Sequence, residues 1–257
     1  MDAETLTCDK FLDGRLTIWQ PRSGYRAATD SVLLASAVDA VPGQSVLDIG
    51  CGVGAVSLCL GARVNGLSLF GLELQDSYAS LARRNAEENG IAKRVFQGDL
   101  SAMPPEIKER RFDHVVSNPP FFDAAASSAP QDPGKHVAHM GTGLTLADWI
   151  RACLKRVAPK GSLTVIQRAE FLPDLLCALR PSCGDIEIFP IAAREGRAAG
   201  RVIVSARSGT RGASILHPPL VMHAGRHHQV DGDDFTDVSK SILRHGASLR
   251  TCVTIRT

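Results

Sequence analysis

No apolar run in this chain reaches the roughly 18 residues that a bilayer-spanning helix needs, which leaves no candidate membrane span. The first residues, Met1-Asp2-Ala3-Glu4, are acidic with no apolar stretch behind them, so nothing reads as a secretory leader. Cys-x-x-Cys pairs are absent. The seven cysteines, at 8, 51, 59, 153, 177, 183 and 252, are odd in number and scattered, which signals neither a zinc site nor a disulfide framework. Reduced thiols fit a cytoplasmic location, and neither a metal nor a membrane partner is expected. There is also little excess charge. A net +2 neither demands nor excludes a nucleic-acid partner.

What is present fits an ordinary globular chain: 257 residues, 44 % hydrophobic and 22 % charged. That is enough for one large α/β domain, or for one domain with appendages. Within it, Phe112-Asp113-His114-Val115-Val116-Ser117-Asn118-Pro119-Pro120-Phe121-Phe122 stands out. Its β-branched start predicts a strand. Pro119 and Pro120 lack an N–H and cannot donate to a sheet, so the strand must end there as a stiff spur. The spur offers the Asn118 amide, carbonyl oxygens that accept hydrogen bonds, and the Phe121 ring. Those parts suit a planar amine: acceptors for its N–H groups and a ring for its face. A plain strand followed by a proline turn is the simpler alternative.

Upstream, Ser45-Val46-Leu47-Asp48-Ile49-Gly50-Cys51-Gly52-Val53-Gly54-Ala55 predicts a buried strand, a glycine turn and a helix from Val56 to about Val64. This is the front of a nucleotide-binding βαβ unit, with Gly50, Gly52 and Gly54 allowing close approach of a ligand. The same glycines satisfy a dinucleotide fingerprint, which keeps a nicotinamide oxidoreductase in contention. Asp48 argues otherwise. A carboxylate near the ligand repels pyrophosphate and suits an ammonium or sulfonium such as S-adenosylmethionine. Leu67–Glu73 is a second strand, its acid 25 positions after Asp48, close to the spacing for a ribose-binding carboxylate. A helix from Gln75 to Asn89 follows, then a strand Arg94–Asp99. Asp99 either accepts from an adenine amine of the cofactor or caps a turn. Four successive strands thus end in Asp48, Glu73, Asp99 and Asn118, and in an open parallel sheet those ends share one rim where ligands bind.

The remaining segments carry weaker signals. Arg15–Pro21 alternates like a strand, Gly24-Tyr25-Arg26 reads as a turn, and Thr29-Asp30-Ser31 could cap a helix through Val38. Arg26, Thr29 and Asp30 make a polar cluster that could border the cofactor cleft, or could simply close one edge of the domain. Residues 123–144 form a long Ala/Ser/Pro/Gly-rich loop with Lys135, His136 and His139, too few ligands for a metal. Thr145-Leu146-Ala147-Asp148 has capping-box form and opens a helix through Leu154. After Pro159-Lys160-Gly161 comes a strand, Ser162–Ile166, and then a helix from about Glu170 to Leu179. Ile186–Ile191 and Val202–Ala206 are close enough in sequence to be an antiparallel pair. Arg194, Arg197, Arg201, Arg207 and Arg211 are either a solvated basic run or a phosphate-tracking patch. The tail holds His223, Arg226, His227 and His228, read as surface residues, and a helix from about Thr236 to Arg244.

With Asp48–Gly54, Glu73, Asp99 and Asn118-Pro119-Pro120-Phe121 in place, the chain resembles class I S-adenosylmethionine-dependent methyltransferases. The Asn-Pro-Pro-aromatic form resembles those acting on adenine N6, cytosine N4 or glutamine N5. Thr29–Leu34, Leu146–Ile150, Arg201–Val204 and Pro219-Leu220-Val221-Met222-His223 are similar to the bacterial tRNA1(Val) (adenine-37-N6)-methyltransferases. The resemblance implies a Rossmann-like α/β sheet of seven strands, mostly parallel with one antiparallel strand, and helices on both faces. It divides the chain into an N-terminal extension (1–44) on the cofactor site, a methyltransferase domain (45–210) and a C-terminal extension (211–257). It implies S-adenosyl-L-methionine as cofactor, a tRNA substrate, and a monomer or homodimer. Cofactor contacts would fall on Arg26, Thr29, Asp48, Gly50, Gly52, Gly54, Glu73, Leu74, Asp99 and Asn118. Catalysis would fall on Asn118, Pro119, Pro120 and Phe121. The alternatives are a protein glutamine N5-methyltransferase, whose family lacks this C-terminal extension, and an RNA-binding module without catalysis. The loop 123–144 carries few cations, which departs from an RNA-gripping loop.

Overall fold

A computed structural model describes residues 5–120, 144–225 and 234–253. The chain opens with a hairpin, β1 (Leu6–Phe11) and β2 (Leu16–Pro21). Only the second of these strands is evident from the alternation in the sequence. The missed signal is Asp13-Gly14, since the turn needs positive φ at Leu12 (51°), Asp13 (56°) and Gly14 (83°). Helix α1 (Thr29–Ala37) follows, then β3 (Ser45–Ile49), α2 (Ala55–Arg63), β4 (Ser68–Glu73), α3 (Asp76–Glu88) and β5 (Lys93–Gln97). A short α4 (Pro105–Lys108) leads into β6 (Phe112–Ser117). From residue 144 onward come α5 (Leu146–Leu154), β7 (Val157–Arg168), α6 (Leu172–Leu179), β8 (Cys183–Ala192) and β9 (Ala199–Ser208). The chain continues through β10 (Ile215–Leu216), β11 (Leu220–Val221), α7 (Asp237–His245) and α8 (Leu249–Val253).

One sheet orders its strands β5-β4-β3-β6-β7-β9-β8, with β10 and β11 both paired to β8. All pairings are parallel except those of β9, which runs antiparallel to β7 and β8. The expected seven strands and single antiparallel strand are therefore present, and two short strands are added at the β8 edge. Residues Pro159-Lys160-Gly161, read as a turn, instead form a bulge inside β7. Register jumps there from Phe112↔Val157 to His114↔Ser162, and Lys160 takes φ 62°.

Alternation along the strands sorts the core onto two faces. Val46, Val116, Ile166 and Ile203 face α1, α2 and the hairpin. Leu47, Ile49, Val115 and Val165 face α5 and α6. Helix α1 has seven buried residues and sits deep between the sheet and its neighbours. Its start is not capped by a side chain: Ala28 is the N-cap, and Thr29 is already helical and exposed.

The hairpin is fastened to α3 by two asparagines one turn apart. Asn85 Oδ1 accepts from Trp19 N at 2.8 Å and its Nδ2 donates to Trp19 O at 3.0 Å. Asn89 repeats the pattern on Thr17, at 2.8 and 2.7 Å. The free edge of β2 is thus satisfied by side-chain amides that stand in for a further strand. Among the described residues no helix is long and apolar enough to cross a membrane.

Candidate active site

The C-terminal ends of β3, β4 and β6, and the turn after β5, surround a cavity of about 630 Å3. That is within the size range of small-molecule sites. Its walls include Gly50, Gly52, Glu73, Leu74, Asn118, Pro119 and Pro120. These are seven of the positions expected from sequence, and they converge from three separate strand ends.

Four backbone donors of the glycine turn, those of Gly50, Cys51, Gly52 and Gly54, are already committed. Gly50 N and Cys51 N donate to Leu72 O at 2.9 and 3.1 Å, and Gly54 N donates to Cys51 O at 2.8 Å. Gly52 N donates to Glu73 Oε2 at 2.8 Å, and Gln75 N donates to Glu73 Oε1 at 2.9 Å. A pyrophosphate site needs open N–H groups at this point. Here the Glu73 carboxylate takes the Gly52 N–H, which counts against the dinucleotide reading. Burial holds the Glu73 carboxyl above its usual range, opposed by the N–H groups of Gln75 and Gly52.

Asp48 does not line the cavity. It is 1 % exposed and lies beneath the glycine turn, where Ser57 Oγ donates to its Oδ2 at 2.6 Å. Lys93 Nζ stands 3.8 Å from the same oxygen, with its side chain fully buried and no hydrogen-bond partner. Burial raises the Asp48 carboxyl, and Lys93 pulls it back. The expectation of a carboxylate beside the ligand is corrected: Asp48 faces the helix side of β3 and acts from below. Gly54 is likewise not a ligand-approach position. It is the left-handed N-cap of α2 (φ 89°), and a Cβ there would sit 3.1 Å from Lys93 Nζ and 3.4 Å from Ala82 Cβ.

Asp99 caps a turn beside the cavity. Its Oδ1 accepts from Ser101 N at 2.6 Å and Ser101 Oγ at 2.7 Å, an Asx turn, while its neighbours Gly98 and Leu100 line the cavity. Thr29 also lies off the cavity, and Ala28, Asp30 and Ser31 line it instead. Arg26 does line it, but its guanidinium is turned to the hairpin, donating to Asp9 Oδ2 at 2.6 Å and Thr7 Oγ1 at 2.8 Å. Phe121 lies outside the described residues, as do Lys135, His136, His139, Arg226, His227 and His228.

Two aromatic walls escaped sequence reading. Tyr25 packs over Gly52, where a Cβ would meet its ring at 3.0 Å. Burial, with Asp48 behind it, pushes its phenol up to about 12, and the nearby Ser31 and Asn118 side chains oppose that rise. Tyr78 Oη donates to Tyr25 O at 3.1 Å and steadies it. Trp149 packs over Gly50, where a Cβ would meet its ring at 3.3 Å. Its Nε1 donates to Ser117 Oγ at 3.0 Å, which passes the bond to Ile49 O at 2.8 Å. Helix α5 sets that ring in place through the expected capping box on Thr145 and Asp148. The Thr145 hydroxyl, then Arg151, lower the Asp148 carboxyl to about 2. The signals were faint: an aromatic next to Gly24, and a tryptophan on the buried side of a capped helix.

A family model described as "Methyltransferase small domain" matches residues 25–170. The chain belongs to that family. It is similar to the tRNA1(Val) (adenine(37)-N6)-methyltransferase of Trichodesmium erythraeum, at 33 % identity over 63 % of this chain and 68 % of that protein. It resembles the protein of the same description from Aeromonas hydrophila at 26 % identity over 81 % of this chain and 89 % of the relative. Among solved structures, a predicted O-methyltransferase from Agrobacterium tumefaciens superposes with a TM-score of 0.68 at 26 % identity, covering 85 % of this chain and 97 % of that one. Among the described residues no group of three or more His, Cys, Asp or Glu side chains could hold a metal.

Proposed function

We propose that this methyltransferase uses S-adenosylmethionine to methylate the exocyclic N6 amine of an adenine in tRNA, the anticodon-loop adenine beside the anticodon of a valine tRNA. The observation that carries the reading is the Asn118-Pro119-Pro120 spur, which opens into the same cavity as Glu73 and the glycine turn. S-adenosylmethionine, when bound, supplies an electrophilic methyl group on a sulfonium. The residues fit that group. The cavity is large enough, Glu73 keeps lone pairs for hydroxyl donors beyond its two backbone bonds, and Leu72, Leu74 and Leu100 give apolar walls.

An exocyclic amine is a weak nucleophile because its lone pair is delocalised into the ring. The Asn118 side-chain oxygen and the Pro119 carbonyl accept its two N–H groups, which localises the lone pair and aims it. Tyr25 lines the same cavity as Asn118, and Phe121, next in sequence after Pro120, is the ring that would stack on the base. No acid or base is obligatory, since fixed dipoles and orientation carry the rate. The target must be unstacked, as a loop nucleotide is. The relatives' descriptions support the adenine-N6 choice. The solved relative described as a predicted O-methyltransferase raises a hydroxyl acceptor, but a hydroxyl presents one hydrogen to a spur built to receive two.

The test is methyl transfer from radiolabelled S-adenosylmethionine to tRNA lacking its modifications, followed by digestion to nucleosides. Label in N6-methyladenosine supports the reading. Cofactor binding with no label in RNA moves the substrate to a protein glutamine.

A further inference from the structure

The run of five arginines from 194 to 211 is a single basic stretch in sequence, and the fold divides it. Strand β9 starts at the rim and runs antiparallel to its neighbours, so Arg201 lies at the cavity end and Arg207 at the opposite end of the sheet. The register shows this directly: Arg201 pairs with Arg168, the last residue of β7, whereas Arg207 pairs with Ser162. Arg211 follows Arg207 to the far side, where Gly184 packs against it. Arg194 is drawn into the tail, donating to Asp234 and to Ala224 O.

Arg168 and Arg201 therefore stand directly opposite one another on adjacent strands, on the sheet face that carries Ile166, Ile203 and α1. Like charges in a cross-strand pair repel. Among their partners are carboxylates: Glu170 lies 2.8 Å from Arg168 and Asp30 lies 3.2 Å from Arg201. All four side chains are about a third or more exposed, at 38 %, 55 %, 36 % and 30 % in that order, so these two ion pairs are screened by solvent and exchange readily. Asp30 itself lines the cavity. Strand β6, which ends one residue before Asn118, is one strand from β7 and two from β9, or about 5 and 10 Å at the usual interstrand spacing. Asn118 follows Val116 by two residues, so strand alternation puts it on the α1 face as well.

We propose that Arg168 and Arg201 form a phosphate subsite that grips the RNA backbone beside the base held at Asn118. The inference rests on the RNA reading above and deepens it. A phosphate presents acceptor oxygens to two guanidinium forks at once and relieves their mutual repulsion. Arg201 then exchanges Asp30 for the phosphate. Arg207 and Arg211, at the opposite end of the sheet, take no part.

The experiment measures binding of an unmodified tRNA transcript to the full chain across a potassium chloride series. Arg168→Ala and Arg201→Ala should each weaken binding about tenfold or more and reduce the slope of log K against log salt by about one. Arg207→Ala should match the wild type. Asp30→Asn, which releases Arg201 from its carboxylate, should bind tRNA at least as tightly as wild type. If Asp30→Asn weakens binding as much as Arg201→Ala does, the pair merely braces α1 and the subsite is refuted. A wild type that methylates tRNA while both alanine variants bind normally places the phosphate elsewhere and also overturns it. A wild type that neither binds nor methylates RNA fails the RNA reading itself.

Discussion

Replacing Lys93 with methionine isolates the buried pair beneath the glycine turn. The side chain of Lys93 is fully buried, and Gly71 and Gly54 leave it room: a Cβ at Gly71 would fall 2.9 Å from Lys93 Cε. Methionine fills much of that channel, so the packing loss is small and the missing charge dominates. Asp48 then remains 1 % exposed, with Ser57 alone to hold it. Removing one partner of a buried ion pair costs about 3–5 kcal/mol when the other stays charged. Asp48 has an escape, because burial already raises its carboxyl and the loss of Lys93 raises it further. With the folded carboxyl above the unfolded one, the folded state binds the extra proton, so stability is greatest at low pH and falls as pH rises through the folded value. The slope in that window is about 1.4 kcal/mol per pH unit. Urea unfolding of Lys93→Met should show a loss of about 3–5 kcal/mol at pH 8, with part of it recovered as the pH is lowered. Adding Asp48→Asn should remove the pH dependence. A Lys93→Met protein within about 1 kcal/mol of wild type at pH 8, with no recovery in acid, would refute a compensating role for Lys93.

Three further outcomes follow from the same geometry. Glu73→Ala leaves the N–H groups of Gly52 and Gln75 without their acceptor, at about 1–3 kcal/mol each, and calorimetry should show cofactor affinity lost before the fold is. Trp149→Phe removes the Nε1 bond to Ser117 and should lower Tm by about 2–4 °C in a calorimetric scan. His114 is 7 % exposed, with Nδ1 2.8 Å from Ser162 Oγ and Nε2 2.8 Å from Gln44 Oε1. Burial holds its pKa below 6.5. A depressed imidazole means that its contribution is whole above the unfolded value near 6.5 and is lost as pH falls towards the folded one. The urea midpoint should therefore drop between pH 7 and pH 5, and His114→Asn should flatten that drop.

Much of the sheet could be read from the chain because its signals are local. Val115 and Val116 before two prolines, and three strands ending in an acid or a glycine turn, each specify an end, and parallel topology brings those ends to one rim. What escaped depends on contacts between distant residues. Lys93 lies 45 positions from Asp48, and nothing near either marks the pair. Asp48 and Gly54 look like ligand-facing residues in the motif, yet strand alternation and helix packing turn both inward. The hairpin was half seen, because β1 has a mostly polar exterior and its partner edge is finished by Asn85 and Asn89 on α3. The arginine run reads as one patch until the direction of β9 divides it.

The most direct test of the central claim is cofactor binding and single-turnover methyl transfer in Asn118→Ala. The account predicts a calorimetric Kd for S-adenosylmethionine close to wild type and a transfer rate to unmodified tRNA lower by at least about a hundredfold, the scale of losing one preorganised polar contact to the reacting group. An Asn118→Ala enzyme that transfers methyl groups at the wild-type rate would contradict it.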